Sequence, residues 1–212
     1  MNGDEKMKVD LNPKQAQNYG NVIGRITDSG LYSVEITRAE LITSKKGTKG
    51  VEFAIKDSAG ATADYLSIWT HNSAGDEIAG MNALQALMTC LKLKTIETTN
   101  MPAKKYVEGR IQEVEIEGFK DFLGKPIGFI LRKELYTKNN GGDGERMMVS
   151  GFYEPESGMV ASEILDKSTQ PVQLEKFRGW LTRSPVKDSR TAQPRIVDVQ
   201  STTDPFSEDI PF

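Results

Sequence analysis

A chain of 212 residues, 37% hydrophobic and 27% charged, can bury one core, though not along its whole length. Its net charge of −3 excludes a uniformly basic polymer binder, and the polar start Met1–Lys6 has no apolar secretion segment. No run approaches the ~18 apolar residues of a membrane span, so the expected compartment is the cytoplasm. With Cys90 and His71 as the single residues of their types, there is no internal disulfide and no His/Cys zinc set. A Ser-His-Asp or Cys-His mechanism would run through His71 alone, and neither metal nor cofactor is expected.

Residues 1–29 read as a polar arm, with a short strand around Val22–Ile26. In Leu31–Ile42, Val34 and Ile36 alternate with Glu35 and Thr37, which is the period of a strand. A basic turn with Lys45, Lys46 and Lys49 follows, then strands at Val51–Lys56 and Thr62–Thr70 separated by Ser58-Ala59-Gly60. Ile78, Met81, Leu84, Leu87, Met88 and Leu91 then recur at helical spacing, predicting a helix over 76–93. Asp76 and Glu77 are expected in its first turn and Lys92 and Lys94 near its last, as the helix dipole prefers. Pro102 is assigned to a loop, Tyr106–Glu117 and Ile127–Tyr136 to strands, and Gly118–Pro126 to the loop between them. Lys138–Gly144 is a further loop, Met147–Tyr153 a strand and Leu174–Leu181 a short helix. From residue 182 the chain is rich in Ser, Thr, Pro and Gln and is expected to be disordered.

Three meander strands, a helix and a hairpin follow the element order of an oligonucleotide-binding (OB) fold. The expected class is therefore mainly β: an OB-fold-type antiparallel five-stranded barrel with one helix, an extra C-terminal strand and helix, and a tail. The expected divisions are an arm over 1–29, the barrel domain over 30–181 and the tail over 182–212.

The tail is the sharpest feature. Residues 198–212 carry four acids and no base, whereas 182–195 carry four bases and one acid. Without the last fifteen residues the net charge would be +1. The closing Asp209-Ile210-Pro211-Phe212 resembles the tail end of bacterial and phage single-stranded-DNA-binding proteins, in which a linker ends in acids followed by Ile-Pro-Phe. A diffuse similarity over residues 22–135, carried by Gly30–Glu40 and Ser44–Gly47, resembles a phage family related to those proteins. The linker here is shorter and richer in Ser, Thr and Arg, which favours the phage version over the bacterial tetramer. The resemblance implies a non-enzymatic protein that coats single-stranded DNA in phage replication or recombination. It also implies that Asp209, Ile210, Pro211 and Phe212 recruit replication, repair and recombination proteins. A partner would take such an end with an apolar pocket and an Arg on the carboxylate. No membrane partner is expected, and a homo-oligomer is left open.

Single strands are held by cations and aromatic platforms. If Leu66 and Ile68 face the core, Tyr65 and Trp69 share the outer face; the competing reading packs Trp69 under the helix or a loop. Phe119 and Phe122, interleaved with Lys120 and Lys125, suit a loop closing over the strand; alternatively they tuck that loop onto the barrel. Arg38, Lys45, Lys46 and Lys49 are the expected phosphate contacts, or else a solvated turn. Arg110, Arg132, Lys133 and Arg146 would extend the track. Phe53, Cys90, Met147 and Met148 are assigned to the core. Three other functions compete. Glu113, Glu115 and Glu117, with Lys120, would suit a metal-dependent nuclease, or simply a solvated strand edge. An interaction or regulatory scaffold would use the tail alone, and a strand-annealing mediator would share the DNA-binding residues.

Overall fold

The computed structural model describes residues 10–13 and 24–190. The tip residues Asp209, Ile210, Pro211 and Phe212 lie outside the described residues. The elements run β1 (Gly30–Thr43), β2 (Lys49–Asp57), β3 (Thr62–His71), α1 (Gly80–Cys90), β4 (Thr99–Val107), β5 (Arg110–Gly118), a 3-10 turn (Lys120–Phe122), β6 (Pro126–Thr137), β7 (Asp143–Tyr153), α2 (Ala161–Leu165), α3 (Val172–Arg183) and β8 (Val186–Ser189).

All eight strands belong to one sheet, antiparallel except for β8, which runs parallel to β6. The order is β3-β2-β1-β5-β4, with β6 also on β1 and flanked by β7 and β8. Long β1 organises it. Residues 34–43 pair with β2, 30–35 pair with β6, and Glu40 meets Gly118 of β5. An irregularity between Ile36 and Arg38 shifts the register, so Ile36 and Ala39 both face the core and Arg38 faces out. Among the described residues the sheet does not close: β3, β4, β7 and β8 each pair with one strand.

The core is aromatic at its centre. Phe53 meets Phe122 and Phe129 edge-on at 5.9 and 6.1 Å, and Phe129 meets Phe152 at 4.8 Å. Buried Leu84, Leu87, Met88 and Cys90 of α1 join this core, while Leu181 of α3 packs separately with Ile130 and Tyr153. Burial pushes the Cys90 thiol up to about 12, with the Glu154 charge adding to it, which leaves it unreactive. Ile26, from the expected arm, is also in the core, and its amide donates to the Thr62 carbonyl at 2.8 Å.

Several expectations are corrected. The helix starts at Gly80, with no acid in its first turn and no base in its last. Residues 76–78 are held against β3 instead: Asp76 closes a turn with Asn72, Glu77 bridges His71, and the Ile78 amide donates to the Thr70 carbonyl at 2.9 Å. A Cβ on Gly80 would sit 1.9 Å from the Trp69 carbonyl oxygen. On the other side of β3, a Cβ on Gly50 would sit 2.4 Å from that of Ile68. His71 is the last residue of β3 and shares a 3.0 Å hydrogen bond with Thr70.

Tyr106–Glu117 is not one strand but the tip of a hairpin. β4 and β5 pair from Thr99↔Gly118 to Val107↔Arg110, and Pro102 sits within edge strand β4. Their turn, Glu108-Gly109, has φ of 49° and 84°, the left-handed pair of a tight hairpin connection. Residues 182–190 are also ordered rather than part of a tail. α3 runs to Arg183, and β8 pairs with Lys133–Tyr136 of β6. Arg132 fastens this segment, donating to the Ser184 carbonyl (3.0 Å), the Ser184 hydroxyl (2.5 Å) and the Val186 carbonyl (3.3 Å).

Candidate functional site

The face of the sheet opposite the core follows from pairing. Arg38 lies across from Ala54, Glu40 from Glu52 and Ser67, and Ile42 from Gly50 and Trp69. Leu66 and Ile68 are buried, so Ser67 and Trp69 of β3 rise from the outward face. Between Ala63 and Leu66, both core residues, the β2–β3 register slips, and Tyr65 takes φ 61°. This irregularity throws the Tyr65 ring out of the sheet, leaving it 52% exposed.

The β4–β5 hairpin stands beside this face, and a groove of about 700 Å³ runs between them. One wall is Pro102, Lys104, Tyr106, Ile111 and Glu113; the opposite side is Arg25, Asp64 and Tyr65. Cross-strand pairing puts Tyr106 against Ile111 and Lys104 against Glu113. Tyr106 is 64% and Ile111 73% exposed, so a ring and an aliphatic chain stand in water at the groove's edge.

Beneath Tyr65 lies a buried ionic floor. Arg38 Nη2 donates to Glu52 Oε1 at 2.8 Å, its Nε faces Glu40 Oε2 at 3.6 Å, and the Lys105 ammonium closes on the Glu40 carboxylate at 2.8 Å. The Arg38 guanidinium sits 5.9 Å from the centre of the Tyr65 ring. Burial pushes the Glu52 carboxyl up, and Glu40 and Asp64 add to this against the pull of Arg38 and Lys105. Arg38 Nε is buried and makes no hydrogen bond.

A second cavity of about 620 Å³ shares Arg25, Asp64 and Tyr65 with the first and continues past them to Lys133, Tyr136, Glu145 and Arg146 of the β6–β7 hairpin. Buried Glu134 organises this hairpin, accepting from Arg146 at 2.6 Å, Ser189 at 2.8 Å and Lys187 at 2.9 Å. Desolvation alone would raise its pKa. The three donors outweigh it and hold the carboxyl at about 2.

Of the residues singled out from sequence for binding, Tyr65 and Arg38 line the groove, but Arg38 is 2% exposed and paired. It forms the floor rather than a free phosphate contact. Phe119 and Phe122 are corrected: at 8% and 0% exposure they plug the core, with rings 5.7 Å apart, and cannot stack on a ligand. The Phe119 amide donates to the Ala39 carbonyl at 2.8 Å, folding the loop against β1. Lys120 is exposed and Lys125 half-buried on that turn, outside the groove lining. Lys45, Lys46 and Lys49 are exposed at the far end of β1 and β2, the end that also carries Trp69. Arg132 is held by Ser184, with its guanidinium 4.6 Å from the Trp180 ring centre. Arg110 is at the hairpin tip, and Lys133 and Arg146 line the second cavity.

Sequence reasoning passed over Arg25, Lys104, Lys105, Tyr106, Ile111 and Tyr136. The signal for most of them was the Glu-Gly turn at 108–109, flanked by alternating residues, which marks a hairpin rather than a continuous strand. Glu113, Glu115 and Glu117 do share a face of β5, opposite Lys104, Pro102 and Asn100. Among the described residues, no three His, Cys, Asp or Glu side chains are grouped to hold a metal ion. No described helix is long and apolar enough to cross a membrane.

Two exposed tyrosines with lysines and an arginine along one groove offer flat π-faces and cations side by side. Paired carboxylates set the local charge. The chain matches no protein-family model and no curated protein sequence.

Proposed function

We propose that this chain binds single-stranded DNA without strong sequence preference, as an OB-type module. The observation that carries the reading is the groove between the β4–β5 hairpin and the outward face of β1–β3, with Tyr65 and Tyr106 on its two sides and Arg25 and Lys104 beside them. Stacked bases need only a π-face and the backbone needs only positive charge, so such a groove holds a strand with little regard to sequence. A duplex hides its base faces and would lose the stacking contribution. The strand order, with β1 central and a hairpin after the helix, is compatible with an opened and extended OB topology. The acidic Asp-Ile-Pro-Phe end fits recruitment of replication, repair or recombination proteins in a phage setting.

The test is a fluorescence titration of the full chain with labelled oligo-dT and a matched duplex at two salt concentrations. The reading expects preference for the single strand, with log affinity falling by about 0.7 per phosphate contact for each log unit of salt. Tyr106→Ala should weaken binding by about 1–3 kcal/mol. Failure to bind oligo-dT at low salt would overturn the reading.

A further inference from the structure

We infer that the bound strand does not end at Tyr65 but turns there into a second arm, between the β6–β7 hairpin and residues 25–27; this rests on the reading of the groove as a single-strand site. The two cavities adjoin, with Arg25, Asp64 and Tyr65 lining both, so a chain leaving the first at these side chains meets the second. The second arm repeats the chemistry of the first on a different hairpin. Tyr136 lies across Gly144, where a Cβ would meet its ring at 2.7 Å, and the Arg146 guanidinium sits 5.1 Å from the ring centre.

That pair is held ready. Buried Glu134 grips Arg146 at 2.6 Å from beneath, yet 59% of the Arg146 side chain remains exposed. Because Lys187 shares the same carboxylate, Glu134 does not cancel the positive charge around it. Lys133 is the adaptable cation. Its contacts to Asp28 at 3.7 Å and Glu145 at 3.8 Å are long, and a phosphate can replace them. Asp64 and Glu145 are the carboxylates of this arm, against Arg25, Lys133 and Arg146. The bend falls at Tyr65, the one lining residue of both arms that the sheet irregularity pushes out with a left-handed backbone.

The arms are separable by ligand length. Oligo-dT of about 5 nucleotides fills one arm and of about 15 nucleotides spans both, within the range of site sizes for single-strand grooves. With the full chain, Tyr136→Ala and Lys133→Gln are expected to bind the short oligonucleotide as the unaltered chain does. Each should bind the long one about tenfold more weakly, and Tyr136→Phe should restore it. Tyr106→Ala weakens both lengths. The short oligonucleotide doubles as the folding control. Unchanged affinity of Tyr136→Ala and Lys133→Gln for the long strand, or equal losses at both lengths, overturns the second arm and leaves the first standing. No binding of either length by the unaltered chain overturns the groove reading itself, and the second arm with it.

Discussion

Tyr65 stands in a conformation that suits almost any residue less than a tyrosine. With φ 61° its backbone is left-handed, a region that costs a bulky L-residue about 1–2 kcal/mol. In return the ring leaves the plane of β3 and stands over the Arg38 guanidinium at the junction of both cavities. This inverts the usual order of two small replacements. In a strand, Ala is ordinarily more stabilising than Gly; here Gly is free of the left-handed penalty. Tyr65→Gly should therefore be more stable than Tyr65→Ala by about 0.5–1 kcal/mol, measured by denaturant unfolding. Both should lose the same oligonucleotide affinity, about 1–3 kcal/mol. If Ala proves the more stable of the two, the strain does not reside in the backbone at this position.

Among the elements, β8 is the one held most by charge and least by apolar burial. All four of its residues are exposed; Lys187 and Ser189 hold it to Glu134, and Arg132 donates to its Val186 carbonyl. The Glu134 carboxyl titrates at about 2 in the folded chain, below its ordinary 4.5. A depressed carboxylate adds stability that is complete above the unfolded pKa and disappears as pH falls through the folded one. Glu134→Gln should therefore cost about 1–3 kcal/mol near neutral pH, and the gap to the unaltered chain should close between about pH 5 and pH 2. Thermal melts across that range check this; a gap independent of pH would place the stabilisation elsewhere.

The same element marks where sequence patterns stop being informative. β1–β3, α1, β6 and β7 were legible because alternating or helical apolar residues announced which face would be buried, as Val34 and Ile36 do. β8 and the end of α3 were not, because Arg132 and Glu134 reach them from β6, and a polar sequence held by partners some fifty residues away resembles a disordered one. The site was half-legible for a related reason. The exposure of Trp69 followed from strand alternation; that of Tyr65 rests as well on a register slip that no pattern of residues announces. Phe119 and Phe122, set among lysines, carried the same composition as a binding loop, and only the turn into the core distinguishes them. The β4–β5 hairpin was missed because Pro102 argued for a loop, although an edge strand tolerates proline where no ladder hydrogen bond is required.

At the scale of the whole molecule the charge is nearly balanced, so attraction for a polyanion depends on where the charges are placed. The last fifteen residues hold four acids, and without them the net charge rises from −3 to +1. Acids tethered to the same chain compete with phosphates for the cations of the groove, and salt screens that competition. Removing residues 198–212 should tighten oligo-dT binding, with the difference growing as salt is lowered; equal affinities at low salt would refute the competition. The two glycines pressed against β3 carry a different kind of consequence. Gly50 and Gly80 approach the Ile68 and Trp69 carbonyls from opposite sides, so closely that any Cβ must displace backbone. Every other amino acid has that atom, so neither position has a conservative neighbour in the genetic code. An alanine at either position, the smallest possible change, already brings the atom for which there is no room.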